Sequence, residues 1–262
     1  MSVLQALFLG IIQGLTEFLP VSSSGHLVLF QKIFGVSGNP VLFDIILHLG
    51  TLTSVCIVFR DDIIALLRRP FQRLTWLLAL ATLPAVAAAL AFDEQIKILF
   101  EGGLLLALAF LLTCALLIAA DKLKSGGKDI ADMSFWDALL IGLMQALAIP
   151  PGVSRSGSTI AGALFAGMSR GAAARFSFLL SIPAILGGLT KEIMDCVLGG
   201  AFMHVGLDRC LFGFLAAALT GYLSIGLTLK LVRECKLRYF AYYVFALAAL
   251  IALDATVTHK FF

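Results

Sequence analysis

Residues 17–30 read EFLPVSSSGHLVLF. In a strongly apolar chain they bring together a carboxylate, three consecutive serines, a glycine and a histidine, and no Lys or Arg precedes Lys32. Pro20 ends the helix that carries Glu17, because proline lacks an amide hydrogen and its ring clashes with the preceding turn. The serine run supplies N-cap candidates for a second helix beginning near Ser23 or Ser24, with His26 in its first turn. Each leg is too short to cross a bilayer alone. The pattern predicts a re-entrant hairpin, whose broken backbone survives at membrane depth only when buried in protein or lining a wet cavity.

The surrounding composition sets the solvent. Only 13% of the 262 residues are charged, against roughly 25% in soluble domains, and the mean hydropathy is +1.02. Such a chain cannot cover itself with polar surface in water, so lipid is its medium. The net charge of +3 is scattered and forms no basic stripe, which argues against nucleic acid. Cys56, Cys114, Cys196, Cys210 and Cys235 are odd in number and form no C-x-x-C pair. Small apolar residues are therefore expected there, with no disulfide framework or zinc site. No signal peptide is expected, since the first residues lack a basic leader and a cleavage site.

Apolar runs predict six transmembrane helices, at about 41–59, 74–92, 102–120, 174–190, 210–229 and 239–258, each near the roughly 17 to 25 residues a span needs. Two regions do not fit as spans, 1–30 and 135–168. The second contains PPGVSRSGSTIAGALF, residues 150–165. Aligning QGLTEFLPVSSSG from Gln13 with QALAIPPGVSRSG from Gln145 pairs Leu15 with Leu147, Val21 with Val153, Ser22 with Ser154, Ser24 with Ser156 and Gly25 with Gly157, at an offset of 132. The expected fold is an all-α integral membrane protein, a single domain over 1–262 made of two repeats, about 1–132 and 133–262. Each repeat has one hairpin and three spans. Three is odd, so the second repeat is inverted and the hairpins meet near the midplane from opposite faces, as in inverted-repeat transporters. The loops after the first, third and fifth spans carry Arg60, Arg68, Arg69 and Arg73, then Lys122, Lys124 and Lys128, then Lys230, Arg233, Lys236 and Arg238. The opposite side carries Lys32, Lys97, Lys191, Arg209 and Lys260. The positive-inside rule then puts those three loops in the cytoplasm and both termini outside.

Gln13 and Glu17, four apart, share a helix face. Two facing helix N-termini make an anion site. Arg155 adds a permanent charge with a planar fork suited to phosphate oxygens. Gln13, Ser22, Ser24, Ser154, Ser156 and Gly157 add donors around it, as residues expected to bind the substrate phosphates. The expected ligand is a phosphate or diphosphate inside a membrane protein. Glu17 would repel such a ligand, so it acts as a base or nucleophile, or it holds a divalent cation that bridges to phosphate. A structural Glu17–Arg155 ion pair is the plain alternative, though intramembrane charges are usually functional. Ser23 is the candidate nucleophile. Direct attack by water, activated by Glu17 or His26, is equally compatible with the sequence. His48, inside the first span, reads equally as structural or functional. His204 and His259 read as solvated, and Arg170 and Arg175 as interfacial anchors.

The paired motifs QGLTEFLPVSSSGH, Gln13 to His26, and PGVSRSG, Pro151 to Gly157, resemble the undecaprenyl-diphosphate phosphatase family of the bacitracin-resistance type over essentially the whole chain. The resemblance implies hydrolysis of undecaprenyl diphosphate to undecaprenyl phosphate and inorganic phosphate, which recycles the lipid carrier for cell-wall synthesis. It also implies a multi-pass enzyme of the bacterial inner membrane, open to the outer face and dependent on Mg2+ or Ca2+. The family's E/Q-x-x-x-E element falls on Gln13 and Glu17, its proline- and serine-rich element on Pro20 to His26, and its arginine on Arg155. Many members have Glu where this chain has Gln13, which shifts any metal binding onto Glu17 and the substrate phosphates. The partners this implies are a polyprenyl diphosphate and membrane lipids, with a homodimer as an allowed assembly. The rival expectation is a transporter or flippase of a lipid phosphate or organic anion, and a weaker third is a non-catalytic lipid-phosphate receptor.

Overall fold

A computed structural model of the chain describes residues 1–36, 41–92, 102–123, 126–199, 206–234 and 236–262, without the side chains of residues 196, 198 and 199. Lys97, Lys124, His204, Cys235 and the Cys196 side chain therefore lie outside the described residues. Among the described residues the structure is all-helical, with one isolated bridge between Lys128 and Met168.

The first hairpin is α1 (Val3–Phe18) and α2 (Ser23–Ile33). Ser2 and Gln5 form a capping box that starts α1, each satisfying an orphan amide of the first turn. At about 1.5 Å per residue, these helices of 16 and 11 residues are shorter than a bilayer's roughly 30 Å hydrocarbon core. The second pair is α7 (Phe135–Ala146), opened by a Ser134–Asp137 capping box, and α8 (Arg155–Phe165). Six further helices are long and apolar enough to cross a membrane. They are α3 (Val41–Val58), α5 (Arg73–Ala91), α6 (Gly103–Asp121), α9 (Arg170–Gly199), α10 (Leu207–Glu234) and α11 (Arg238–Leu253), the last continued by a π-helical turn, Asp254–Thr258. A short helix, α4 (Arg60–Arg68), links α3 to α5 and buries no residue.

The six apolar runs land on these six helices. α9 departs most, starting four residues before the predicted span and ending nine after it. Hydropathy ends at Lys191, but backbone hydrogen bonding does not depend on polarity, and no glycine or proline stops the helix between Lys191 and Val197. Pro183 lies inside α9 without ending it.

Helices approach closely where side chains are small. α1 crosses α10 through Gly10 and Gly14, and a Cβ on Gly10 would sit 2.5 Å from the Gly213 carbonyl oxygen. α7 crosses α5 in the same way, with a Cβ on Gly142 falling 2.7 Å from the Ala81 carbonyl oxygen. Gly142 is Gly10 shifted by 132 positions, and Gly213 is Ala81 shifted by 132. The largest buried cluster joins Phe18, Ile141, Ile160, Phe176 and Phe178. A second joins Val21 and Leu29 to Phe110, Leu117 and Val244 on α6 and α11. Together they enclose the tips of both hairpins. Among the described residues Cys56, Cys114 and Cys210 are free thiols, Cys114 buried and the other two partly so.

Candidate active site

The turns of the two hairpins meet. A Cβ on Gly25 would lie 2.9 Å from the Gly152 Cα, and one on Gly157 would lie 3.4 Å from the Pro20 Cβ. Ser22 caps α2 by accepting from the Gly25 amide at 3.4 Å, and Ser154 caps α8 by accepting from the Gly157 amide at 3.0 Å. These are corresponding residues in the two motifs, and each begins its helix one residue later, at Ser23 and Arg155. The first-turn amides of both helices have no acceptor within their own helix, and both positive ends point into the junction.

Hydroxyl groups satisfy the broken backbone. Thr113 on α6 donates to the Gly152 carbonyl and accepts from the Ser154 amide, both at 2.9 Å. Ser156 donates to the Leu19 carbonyl at 2.9 Å, tying the second hairpin to the first. Gly152 takes φ +92°, which glycine adopts freely, whereas Ser22 is held at φ +68°, a left-handed conformation costly for a residue with a Cβ. His26 accounts for it. Its ring Nδ1 lies 2.7 Å from the Ser22 carbonyl oxygen and Nε2 lies 2.8 Å from the Tyr243 hydroxyl. A carbonyl only accepts, so Nδ1 carries the hydrogen. In the neutral ring Nε2 then accepts from Tyr243, whose ring stacks on the imidazole, while Phe110 meets it edge-on.

Glu17 sits at the centre, buried, as does Gln13. Its Oε1 accepts from Arg155 Nη2 at 2.7 Å. Its Oε2 accepts from the Ser23 hydroxyl at 2.5 Å and from Gln13 Nε2 at 3.0 Å. Two buried polar atoms have no partner here, Arg155 Nη1 and Gln13 Oε1. Groups buried at this depth are normally paired. An unpaired guanidinium donor suits an anion, and an unpaired amide oxygen suits a cation or a hydroxyl. Ser23 and Ser24 are only partly buried, unlike Ser22 beside them.

The predicted site residues thus converge, in two layers. Gln13, Glu17, Ser23 and Arg155 form one connected set. Ser22, Ser24, Ser154, Ser156 and Gly157 build the helix ends beside it; the Ser22 and Ser24 hydroxyls lie 3.4 Å apart, and those of Ser154 and Ser156 lie 3.3 Å apart. His26 belongs to the turn and meets Tyr243. Both arms of the Arg155 fork are not free for phosphate, because Nη2 is engaged by Glu17. The histidine near Glu17 is His48 on α3, with Nε2 4.0 Å from Glu17 Oε2 and Nδ1 2.8 Å from the Asp44 carbonyl oxygen. Sequence reasoning left His48 undecided and missed Tyr243 and Thr113. Thr113 had a signal, as the one hydroxyl in an otherwise apolar span. Tyr243 had none, because only folding brings α11 against α2. Arg170 and Arg175 do more than anchor: they approach Asp121 at 3.6 Å and Asp62 at 2.6 Å. His259 is exposed.

The donor set also bears on a metal. Among the described residues no three His, Cys, Asp or Glu side chains are grouped to hold an ion. Glu17, the unpartnered Gln13 oxygen and the Ser23 hydroxyl are all oxygen donors, linked through Glu17, which accepts from the Gln13 amide nitrogen and the Ser23 hydroxyl. That suits Mg2+ or Ca2+, with substrate phosphates completing the shell, and it does not suit a softer metal.

Three relatives align over nearly their full length. An undecaprenyl-diphosphatase of Carboxydothermus hydrogenoformans is 47% identical, covering 96% of this chain and 97% of that protein. One of Methanobrevibacter smithii is 39% identical and covers 100% of both chains. One of Alkaliphilus metalliredigens is 39% identical over 97% of this chain and 98% of that protein. With residues 6–250 also matching the family of the bacitracin resistance protein BacA, the chain belongs to the BacA family, and its six apolar helices make it a multi-pass membrane protein.

Proposed function

We propose that this protein hydrolyses undecaprenyl diphosphate to undecaprenyl phosphate and inorganic phosphate, returning the lipid carrier to cell-wall synthesis. The observation that carries the reading is the Ser23 hydroxyl donating at 2.5 Å to a Glu17 carboxylate that Arg155 holds from its other side. A nucleophile, its base and an anion-binding cation stand in one connected set between two helix N-termini. The arrangement suits phosphoryl transfer.

In this mechanism Arg155 stays on Glu17 through Nη2 and reaches the terminal phosphate through Nη1. Amides of the first turns of α2 and α8 take further phosphate oxygens. Ser23 Oγ bonds to the terminal phosphorus as its proton passes to Glu17 Oε2. The bridging P–O bond breaks, and its electron pair leaves with undecaprenyl phosphate. Water then attacks the phosphoserine phosphorus and the P–O bond to Ser23 breaks; the Ser23 oxygen takes back the proton held by Glu17, and both protons of the water leave with the inorganic phosphate. Glu17 and Gln13, together with substrate oxygens, would hold a divalent cation, which would add positive charge to a site that is otherwise short of it. The diphosphate carries roughly two to three negative charges near neutral pH, against Arg155 and two helix ends of about +0.5 each. His26 fixes the strained Ser22 turn and so aims Ser23.

The same reading has the protein in the bacterial inner membrane, with its Lys- and Arg-rich loops in the cytoplasm and, as the family resemblance implies, the site open to the outer face. The test is phosphate release by purified protein in detergent, with no membrane gradient. Hydrolysis with Mg2+ or Ca2+, lost with chelator, is expected. Binding of the lipid diphosphate without phosphate release under any metal condition would promote a transporter or receptor in its place.

A further inference from the structure

Outside the site, two concavities lie at the corner where α4 meets α5. The first, of about 420 Å³, is lined by Asp61, Ile64, Ala65, Arg68, Arg69 and Gln72. The second, of about 500 Å³, is lined by Trp76, Ala79, Leu80, Leu83 and Phe135. Gln72 on the rim of the first is one helical turn from Trp76 at the head of the second, and the Trp76 amide donates to the Gln72 carbonyl at 3.4 Å. Trp76, Ala79, Leu80 and Leu83 follow the spacing of one helix face, so the second concavity is an apolar groove running along α5 from its first turn.

We propose that this corner is a binding site for an anionic phospholipid, with the headgroup between Arg68 and Arg69 and an acyl chain along the α5 groove. Four observations support it. Arg68 and Arg69 make no ion pair among the described residues, whereas the neighbouring Arg60 pairs with Asp61 and Asp62 pairs with Arg175. α4 buries nothing, yet it turns Leu67 outward at 76% exposure, and Phe71 beyond it is 81% exposed. Phe71 stacks on Trp76, with ring centroids 6.5 Å apart. Finally, both tryptophans of the chain, Trp76 and Trp136, are exposed at this end, and the Arg73 guanidinium ties the end together through the Ala131 and Met133 carbonyls. Exposed apolar side chains, indole rings and unpaired arginines at the head of a span mark the headgroup layer of a bilayer. The two free guanidiniums choose anionic over zwitterionic lipid. None of these residues belongs to the Glu17 set, so the proposal stands apart from the hydrolytic reading.

The test uses full-length Trp136→Phe protein, in which only Trp76 fluoresces, in phosphatidylcholine vesicles with a graded share of chain-brominated phosphatidylglycerol. Enrichment of roughly fivefold per arginine is expected, so Trp76 quenching saturates while the bulk lipid still holds little bromine. With Arg68→Gln and Arg69→Gln added, quenching should follow the bulk fraction. Both arginines are exposed, so these variants should fold, with an unchanged thermal midpoint in detergent as the check; either single variant serves if the double does not. Quenching that tracks bulk composition in the parent, equal quenching by brominated phosphatidylcholine, enrichment that survives loss of both arginines, or a Trp76 shielded from every lipid by a second copy of the chain would each overturn the proposal.

Discussion

Glu17 accepts hydrogen bonds from Arg155, Ser23 and Gln13, and removing its charge affects two things. Glu17→Gln keeps the shape, but it loses the base and leaves the Arg155 guanidinium buried without a counter-charge. Turnover should fall at least about 100-fold, the lower range for a positioned acid–base group. The thermal midpoint in detergent should fall too, because a buried charge stripped of its partner is strongly destabilising. A folded variant that keeps most of its activity would remove Glu17 from the mechanism. Arg155→Lys tests the fork. One guanidinium nitrogen holds Glu17 while the other is unpartnered, and a lysine ammonium lacks that planar pair of donors. Phosphate release should therefore stay far below the parent's. Activity within a few-fold would reduce Arg155 to a diffuse charge.

At the level of helices, stability depends on small residues at crossings. Gly10→Val and Gly142→Val each put a side chain against a partner backbone carbonyl, at 2.5 and 2.7 Å for the Cβ alone. Both should lower the thermal midpoint markedly. Gly226→Ala on α10, whose Cβ meets nothing within 4 Å, should leave it unchanged. Similar midpoints in all three would mean that these crossings tolerate separation. The helices were legible in the sequence because a span is set by a local quantity, its run of apolar residues. The hairpin breaks were legible because Pro20, Pro150 and Pro151 have a local effect on backbone. The reach of α9 past Lys191 was not, since hydropathy marks lipid contact and not helix ends. The partners of His26 and Glu17 were not legible either. Tyr243 lies 217 positions from His26, and no periodicity encodes that contact.

For the whole molecule, the proposal is two inverted repeats whose hairpins enter from opposite faces. The contacts support it pairwise. Gly10 on Gly213 corresponds, at an offset of 132, to Gly142 on Ala81, and Gly25 on Gly152 corresponds to Gly157 on Pro20. Single cysteines in a cysteine-free chain should be labelled only from the cytoplasmic side within Arg60–Arg73 and Asp121–Asp132, and only from outside near either terminus. An Asp121–Asp132 loop reached from outside, with Arg60–Arg73 inside, would contradict three spans per repeat and the inversion with it. On that proposal the repeat also locates the chemistry. Two matched helix ends meet, and in the proposed mechanism the asymmetric residues Glu17, Ser23, His26 and Arg155 make the junction reactive. The claim that Ser23 attacks phosphorus while Glu17 takes its proton is tested most directly by stereochemistry. A substrate made chiral at the terminal phosphorus with sulfur and oxygen isotopes would be hydrolysed in isotopic water and the released thiophosphate analysed. Two successive in-line displacements, by Ser23 and then by water, predict retention of configuration. Inversion would mean a single attack by water and would contradict a covalent Ser23 intermediate.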